Sequence, residues 1–225
     1  MASKKYGSGR YSPNQEFRRD EVIDSACEIL RERGVSGVSV RSVAEKAGLS
    51  SGAIHYYFRD IQELLDLAYD KLTDRYFARI SAFSRAIEDP AGSFWHTVLS
   101  YIQPWSAHSS MPLLWCEYYV TSVRSGRIEG VRNSQRRTVS MFEAAMATSG
   151  LQFAVSAEGL FRHANGAVLS MTLIPASIDT LIGELAQLLG VPKPMSDVFA
   201  CRNPSCKLCA IEAKAQFAAT DATQH

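Results

Sequence analysis

Residues 39–65 read SVRSVAEKAGLSSGAIHYYFRDIQELL, and this stretch decides the fold of the N-terminal region. Ser39 is a suitable N-cap for a short helix, and Gly48 ends that helix with the backbone freedom that a tight turn needs. A second short helix follows, capped by Ser50 or Ser51 and closed by a cluster of aromatic residues. Two short helices joined by a glycine turn are typical of a helix-turn-helix, which presents its second helix to the major groove of DNA.

Further helices are predicted on both sides of this stretch. Apolar residues recur at helical spacing from Val22 to Leu30, which predicts a helix that begins near Phe17. Asp60 is expected to start a fourth helix. Residues 1–16 combine Gly, Ser, Pro and Asn with three cations, and we expect them to form a flexible basic arm.

The charge is distributed unevenly along a chain whose net charge is only +1. Residues 1–59 carry ten Lys and Arg against seven Asp and Glu, whereas the remainder carries fourteen against sixteen. A mildly basic N-terminal unit on a mildly acidic body suits a protein that binds DNA through one end. No apolar run approaches the length of a membrane span, so we predict no membrane partner. The absence of a signal peptide and the odd number of cysteines favour a cytoplasmic location.

The remainder of the chain keeps a helical pattern, and alternation with period two is absent. The predicted fold class is therefore all-α, with an N-terminal three-helix helix-turn-helix domain and a larger helical domain for ligand binding and dimerisation. The predicted boundaries are 17–60 for the first domain, 61–190 for the second and 191–225 for a C-terminal extension.

The segment from Arg18 to Leu72 resembles the DNA-binding domain of the TetR/AcrR family of regulators. The resemblance depends on the cap, the Ala-x-x-Ala-Gly turn, the aromatic helix end and Phe58 at fixed offsets. It implies a double-stranded DNA operator as partner. The residues expected to contact this DNA are Arg41, Ser50, Ser51, Gly52, Ala53, His55, Tyr56 and Tyr57.

Two positions depart from the family pattern. Family members usually carry Tyr where this chain has His55, and Lys where it has Ile61. The missing Lys removes one expected phosphate contact. Arg59 or the arginines of the N-terminal region are candidates to replace it.

The resemblance also implies a homodimer and a small-molecule pocket in the body. Residues 157–173, rich in small side chains, and 178–189, with leucine and isoleucine at three- and four-residue steps, are candidates for the dimer interface. The same stripes are equally compatible with packing inside one subunit. Aromatic residues with a few polar groups are typical of ligand cavities, although they are also typical of ordinary cores. The candidates are Trp95, Trp105, Trp115, Tyr118, Tyr119, Phe142, Phe161, His163 and Asn165.

A cysteine cluster, C-x4-C-x2-C, lies in the extension at Cys201, Cys206 and Cys209. Two thiolates two residues apart form half of a common zinc site, but no fourth ligand follows at motif spacing. A thiol–disulfide switch and an incidental group of cysteines are the alternatives. No cofactor is required by the sequence, and zinc is the one candidate.

These patterns predict a DNA-binding transcriptional regulator, acting as a repressor that a small, largely apolar or aromatic effector releases from a palindromic operator. A metal- or redox-responsive regulator on the same scaffold is the alternative. A nucleoid-type protein without sequence preference is a further candidate. No Ser-His-Asp or paired-carboxylate pattern is evident, so an enzyme is not expected.

Overall fold

The computed structural model describes residues 12–102, 111–171 and 177–194, and every regular element within these ranges is a helix. The all-α prediction is thus confirmed for this part of the chain. The helices in order are α1 (Pro13–Arg33), a short 3-10 turn (Val35–Gly37), α2 (Val40–Ala47), α3 (Ser51–Tyr57), α4 (Ile61–Ser84), α5 (Pro90–Ile102), α6 (Met111–Ser125), α7 (Glu129–Thr148), α8 (Ala157–Met171) and α9 (Ile178–Leu189).

The first helix begins earlier than the sequence analysis predicts. Ser12 Oγ accepts the backbone N–H of Gln15, and the Gln15 side chain accepts the N–H of Ser12, which together form a capping box. Pro13 occupies the first helical position, where its missing N–H costs nothing. Residues 13–16 therefore belong to α1, and assigning them to a flexible arm was wrong.

The helices α1, α2 and α3 share one apolar core with the first half of α4. Val22, Ile23, Ile54 and Phe58 are each at most 2% exposed, and they pack together in this core. Leu114 of α6, which follows much later in the chain, is buried in the same core. The N-terminal unit thus packs against the body through α6, in addition to its covalent connection through α4.

A second core lies between α4, α5, α7, α8 and α9. Trp95 and Phe142 fill its centre, and Leu160 and Leu185 pack against them from the last two helices. The second half of α4 contributes Ile80 to this core, whereas its first half contributes Leu64 to the N-terminal core. Helix α4 therefore takes part in both cores and joins them covalently.

The apolar stripe of α9 is buried inside this chain. Leu181, Leu185 and Leu189 are each at most 2% exposed and pack in the body core. Within α8, in contrast, Gly166 and Leu169 are exposed. Of the two segments predicted for dimerisation, α8 leaves Leu169 exposed, whereas these three leucines of α9 are covered by the same chain.

None of the helices in the described ranges combines the length and the apolar character that a membrane span requires.

Candidate nucleic-acid interface and internal cavity

Local hydrogen bonds define both ends of α2. At its start, Ser39 Oγ accepts the backbone N–H of Ser42 at 3.1 Å. At its end, Gly48 adopts a φ of 65° and a ψ of 34°, the left-handed conformation that glycine reaches without strain, and Leu49 N–H donates to the carbonyl of Ala44 at 2.9 Å. The turn at Gly48 and Leu49 therefore sets the direction in which α3 leaves α2.

Helix α3 has a buried side and an exposed side. Ile54 within it and Phe58 at its C-cap are buried in the N-terminal core, and Ser50 Oγ caps the helix by accepting the N–H of Ala53 at 3.2 Å. Ala53 and Tyr57 are half-buried. The exposed candidates, which we call the reading face, are Arg41, Ser50, Ser51, Gly52, His55 and Tyr56.

Gly52 has no structural reason to be glycine within this chain. A Cβ built on it would meet only Ser50 Oγ, at 3.8 Å, which is an ordinary van der Waals distance. Glycine within a helix destabilises it relative to alanine by about 1 kcal/mol. The position therefore carries a cost that no contact among the described residues requires.

Tyr56 is held by the first turn of α1. Gln15 Oε1 accepts the N–H of Ser12 at 2.9 Å, so its Nε2 is free to donate to Tyr56 Oη, also at 2.9 Å. The Tyr56 ring stands edge-on to Tyr57, with 5.1 Å between the ring centroids. The hydrogen bond from Gln15 therefore fixes the position of the Tyr56 oxygen at the surface of the N-terminal unit.

The charged residues near the reading face bear on one departure from the family pattern, the missing Lys at position 61. Arg41 is exposed and makes no ion pair with any described residue. Arg59, a candidate replacement for the missing Lys, pairs through Nε with Asp60 at 3.2 Å, although its side chain is 73% exposed. Ile61 is half-buried and packs against the N-terminal core. At position 61 this chain has a packing residue in place of a cation.

Comparison with known proteins agrees with this geometry. The family model described as "Bacterial regulatory proteins, tetR family" matches residues 22–68, which span most of α1, all of α2 and α3, and the start of α4. The N-terminal unit of this chain is therefore a TetR-family DNA-binding domain. The chain is a helix-turn-helix transcriptional regulator.

A curated relative supports the family assignment over most of the chain. The uncharacterized HTH-type transcriptional regulator in the dhlA 5′ region of Xanthobacter autotrophicus is 28% identical over 187 residues, covering 78% of this chain and 90% of that protein.

Two solved structures share the fold. SCO7518 from Streptomyces coelicolor A3(2) superposes with a TM-score of 0.63 at 23% identity, over 76% of this chain and 98% of that one. The multidrug binding protein EbrR, in complex with imidazole, gives a TM-score of 0.61 at 22% identity, over 84% and 99%. The TetR fold therefore extends beyond the N-terminal domain into the body.

An internal cavity of about 40 Å³ lies where α4, α6 and α7 meet in the body of the protein. Half of its described lining residues are aromatic, and the others add hydroxyl and amide groups but no charged side chain. The lining residues are Tyr69, Leu72, Thr73, Tyr76, Phe77, Tyr101, Leu114, Trp115, Ser134, Gln135, Thr138 and Phe161. Burial raises the pKa of Tyr69 and Tyr101, which keeps both phenols neutral. The cavity thus offers an uncharged, aromatic environment.

The candidate effector residues fall into distinct environments. Trp115 and Phe161 line the cavity, whereas Trp95 and Phe142 are fully buried in the body core. Four further candidates among the described residues are not part of the cavity wall. Tyr118 stacks on Tyr69, Tyr119 is exposed, His163 is half-buried, Asn165 accepts a hydrogen bond from Tyr101 Oη at 2.7 Å, and Trp105 lies outside the described residues.

The cavity residues contributed by α4 and α7 are not among the effector residues predicted from the sequence. On α7, Ser134 and Thr138 occupy the same helical face as Val131 and Phe142, and all four are buried. Hydroxyls at a spacing of four residues on an otherwise apolar face were an available signal for a polar contact in the interior. Tyr69 and Tyr76 on α4 carried no comparable signal, because a tyrosine on a helix face is common in any core.

Helix α6 connects the cavity to the N-terminal domain. Leu114 lines the cavity and is also buried in the N-terminal core. One turn later, Glu117 Oε2 accepts the backbone N–H of Val35 at 2.8 Å, in the turn between α1 and α2. Tyr118 donates to Asp66 of α4 at 2.9 Å, and Arg127 Nη2 lies 2.8 Å from the other oxygen of that carboxylate. Helix α6 therefore contacts both the cavity and the N-terminal unit.

The cysteines within the described ranges are not reactive thiolates. Burial raises the pKa of Cys27 to about 12, and its Sγ donates to the carbonyl of Ala68 at 3.4 Å. Burial also raises the pKa of Cys116. No group of three or more potential metal ligands occurs among the described residues. The cluster of Cys201, Cys206 and Cys209 lies outside them, so the proposed zinc or redox role of the extension stays a prediction.

Proposed function

We propose that this protein is a repressor that binds a palindromic operator as a homodimer and is released by a small, largely apolar or aromatic effector. The observation that carries the proposal is the position of α6, which borders the aromatic cavity and holds the DNA-binding unit through Leu114 and Glu117. An event in the cavity and the orientation of the reading face are thereby linked by one helix.

Recognition of the operator is assigned to the reading face and the adjoining Tyr57. The exposed N-terminus of α3 offers short side chains and unpaired backbone N–H groups, which favour close approach to bases and phosphates. Arg41, free of ion pairs among the described residues, can bind a guanine edge or a phosphate. A single unit of this size buries too little surface for tight binding, which favours two units on an inverted repeat.

Selection of bound DNA from a random library tests this assignment. The selected sites are expected to be inverted repeats with half-sites about one helical turn apart. Selection of unrelated sequences would favour a nucleoid-type protein instead, and a single half-site bound by one chain would contradict the dimer.

Arg41→Ala is expected to weaken operator binding about tenfold, since one contact from Arg to a base or phosphate is worth about 1–3 kcal/mol. Tyr57→Phe removes one hydroxyl and is expected to cost about threefold. Gel-shift titration measures both, with Arg79→Ala, an exposed position on the body half of α4, as the matched control. Affinities equal to that of the control in both variants would refute these contacts.

The effector class follows from the cavity. Its wall is uncharged and aromatic, and a volume of about 40 Å³ holds only a few water molecules. A cavity that binds benzene has a volume of about 150 Å³. An aromatic effector is therefore expected to displace part of the wall. EbrR, which shares the fold, has been solved with imidazole, proflavin and malachite green, which supports aromatic effectors.

The release mechanism is a population shift. Two arrangements of α6 are expected, and an effector that fits only the wider cavity favours the arrangement with α6 displaced. Displacement of α6 moves Leu114 within the N-terminal core and lengthens the hydrogen bond from Val35 N–H to Glu117. The reading face then loses the orientation that the operator requires.

Thr138→Phe is expected to imitate the effector. Thr138 is 3% exposed and lines the cavity, so a larger side chain overfills it and forces the wall outward. We expect operator affinity to fall about tenfold while the protein stays folded by circular dichroism. The control is Ala147→Phe, an exposed position on the same helix.

Glu117→Ala provides the second arm of this experiment. If α6 transmits the change through Glu117, the effect of Thr138→Phe on operator affinity becomes smaller in the Glu117→Ala background. An undiminished effect in the double variant would exclude this route, and an operator affinity unchanged by Thr138→Phe would argue against the cavity as the effector site.

A further inference from the structure

A second recess is an open groove of about 610 Å³ between α4, α5 and α7. It adjoins the internal cavity at Phe77. Phe77 is the single residue found in both linings among the described residues. The volume is within the range of small-molecule sites, roughly 300–1,000 Å³. We call this recess the α4–α5–α7 groove.

The groove carries positive charge on both of its long walls. Arg85 comes from the end of α4, and Arg136 and Arg137 come from α7, whereas no acidic side chain belongs to the described lining. Arg137 lies 4.7 Å above the Phe77 ring and pairs with Asp74 at 2.5 Å. Arg136 lies 3.5 Å from Glu129, with both side chains at least 70% exposed.

Arg85 differs from these two arginines. It is exposed just after the last residue of α4 and makes no ion pair or side-chain hydrogen bond with any described residue. Asp74 offsets the charge of Arg137, whereas Glu129 is shared between Arg136 and Arg132, which lies closer to it at 2.8 Å. Arg85 is therefore the one arginine of the described lining without an ion pair. A single guanidinium suits one carboxylate, which it can bind through two parallel hydrogen bonds.

The interior of the groove is apolar with hydroxyls at its edges. Phe77, Ile80 and Met141 provide apolar surface, and Ala144 leaves space above it. The hydroxyl groups of Ser84 and Thr97 form a hydrogen bond with each other, with 2.7 Å between the two oxygens. This side of the groove therefore needs no ligand to satisfy its buried polar groups, and an apolar body can lie against it.

We propose that the α4–α5–α7 groove binds a small organic anion, with its carboxylate on Arg85 and its apolar body along Phe77, Ile80 and Met141. The ligand class differs from that of the internal cavity, whose lining is uncharged. The site is separate from the one invoked for effector release, so it stands or fails independently of the proposed function.

Titration calorimetry of the full chain with octanoate, in the absence of DNA, tests the site. Octanoate is expected to bind at millimolar concentration or below, and its neutral isostere octanamide up to about fivefold more weakly, because an exposed charge pair is worth up to about 1 kcal/mol. Arg85→Gln should weaken octanoate binding by a similar factor and leave octanamide unaffected. Ala144→Trp should abolish the binding of both by filling the groove.

Matched controls lie on the same two helices. Arg79→Gln on α4 and Ala147→Trp on α7 alter exposed residues outside the groove and should leave octanoate affinity unchanged. Equal effects of the groove variants and these controls would overturn the proposal. So would equal affinity for octanoate and octanamide, no saturable binding, or octanoate binding that Thr138→Phe abolishes and Ala144→Trp leaves intact.

Discussion

Replacing Gly52 by alanine and then by leucine is expected to weaken operator binding at each step while the stability of the protein stays the same or increases. Both residues form helices better than glycine, by up to about 1 kcal/mol. The space around Gly52 is open, because the atom nearest to the place that a Cβ would occupy is Ser50 Oγ, at 3.8 Å. The fold therefore has no reason to resist either substitution.

The loss of affinity follows from close approach of α3 to the DNA. A methyl group at position 52 is expected to cost about 1–2 kcal/mol of binding, or roughly tenfold, and the isobutyl group of leucine at least about a hundredfold. Thermal unfolding and gel-shift titration of the same preparations separate the two effects. Parallel losses of stability and affinity would show that Gly52 serves the fold, and unchanged affinity in the leucine variant would place the DNA elsewhere.

Gly34→Ala is expected to destabilise the folded protein by about 2–4 kcal/mol. Gly34 has a φ of 71° and a ψ of −170°, a region of backbone conformation that is essentially restricted to glycine. A Cβ there would also lie 2.5 Å from Glu117 Oε2, which accepts the N–H of Val35. The substitution thus strains the backbone and displaces the carboxylate that joins α6 to the DNA-binding unit.

Gly48→Ala is the matched control, because Gly48 also has a positive φ but nothing lies within 4 Å of its Cβ position. Its cost should be that of the left-handed conformation alone, about 1–2 kcal/mol. Chemical denaturation measures both values. In the Glu117→Ala background the cost of Gly34→Ala should fall towards that of Gly48→Ala, since the collision is removed. Equal costs of Gly34→Ala in the two backgrounds would show that Glu117 does not constrain position 34.

Local signals in the sequence predicted the DNA-binding unit well. Ser39, Gly48 and Ser50 act through hydrogen bonds to residues at most four positions away, so their roles follow from short segments. The buried positions Ile54 and Phe58 follow from helical spacing in the same way. The early start of α1 has an equally local signal, the capping box between Ser12 and Gln15. The Gly and Pro residues around it are typical of flexible segments and favoured the wrong prediction of an arm.

The body was less predictable because its features depend on which helices become neighbours. The periodicity of α9 correctly indicates an apolar face, but does not show that this face is covered by the same chain. Aromatic content suggested a pocket, yet its wall is formed by residues of five helices, and most of the aromatic candidates lie elsewhere.

The sequence by itself determined the helix-turn-helix, its family and the residues exposed on α3, because capping and helical periodicity act over a few residues. Only the tertiary structure decided where the cavity lies, that Glu117 reaches a backbone N–H 82 positions earlier, and that Arg85 faces an apolar groove. These features depend on the packing of distant helices, which is set by the whole of the buried surface and is not written in any single segment.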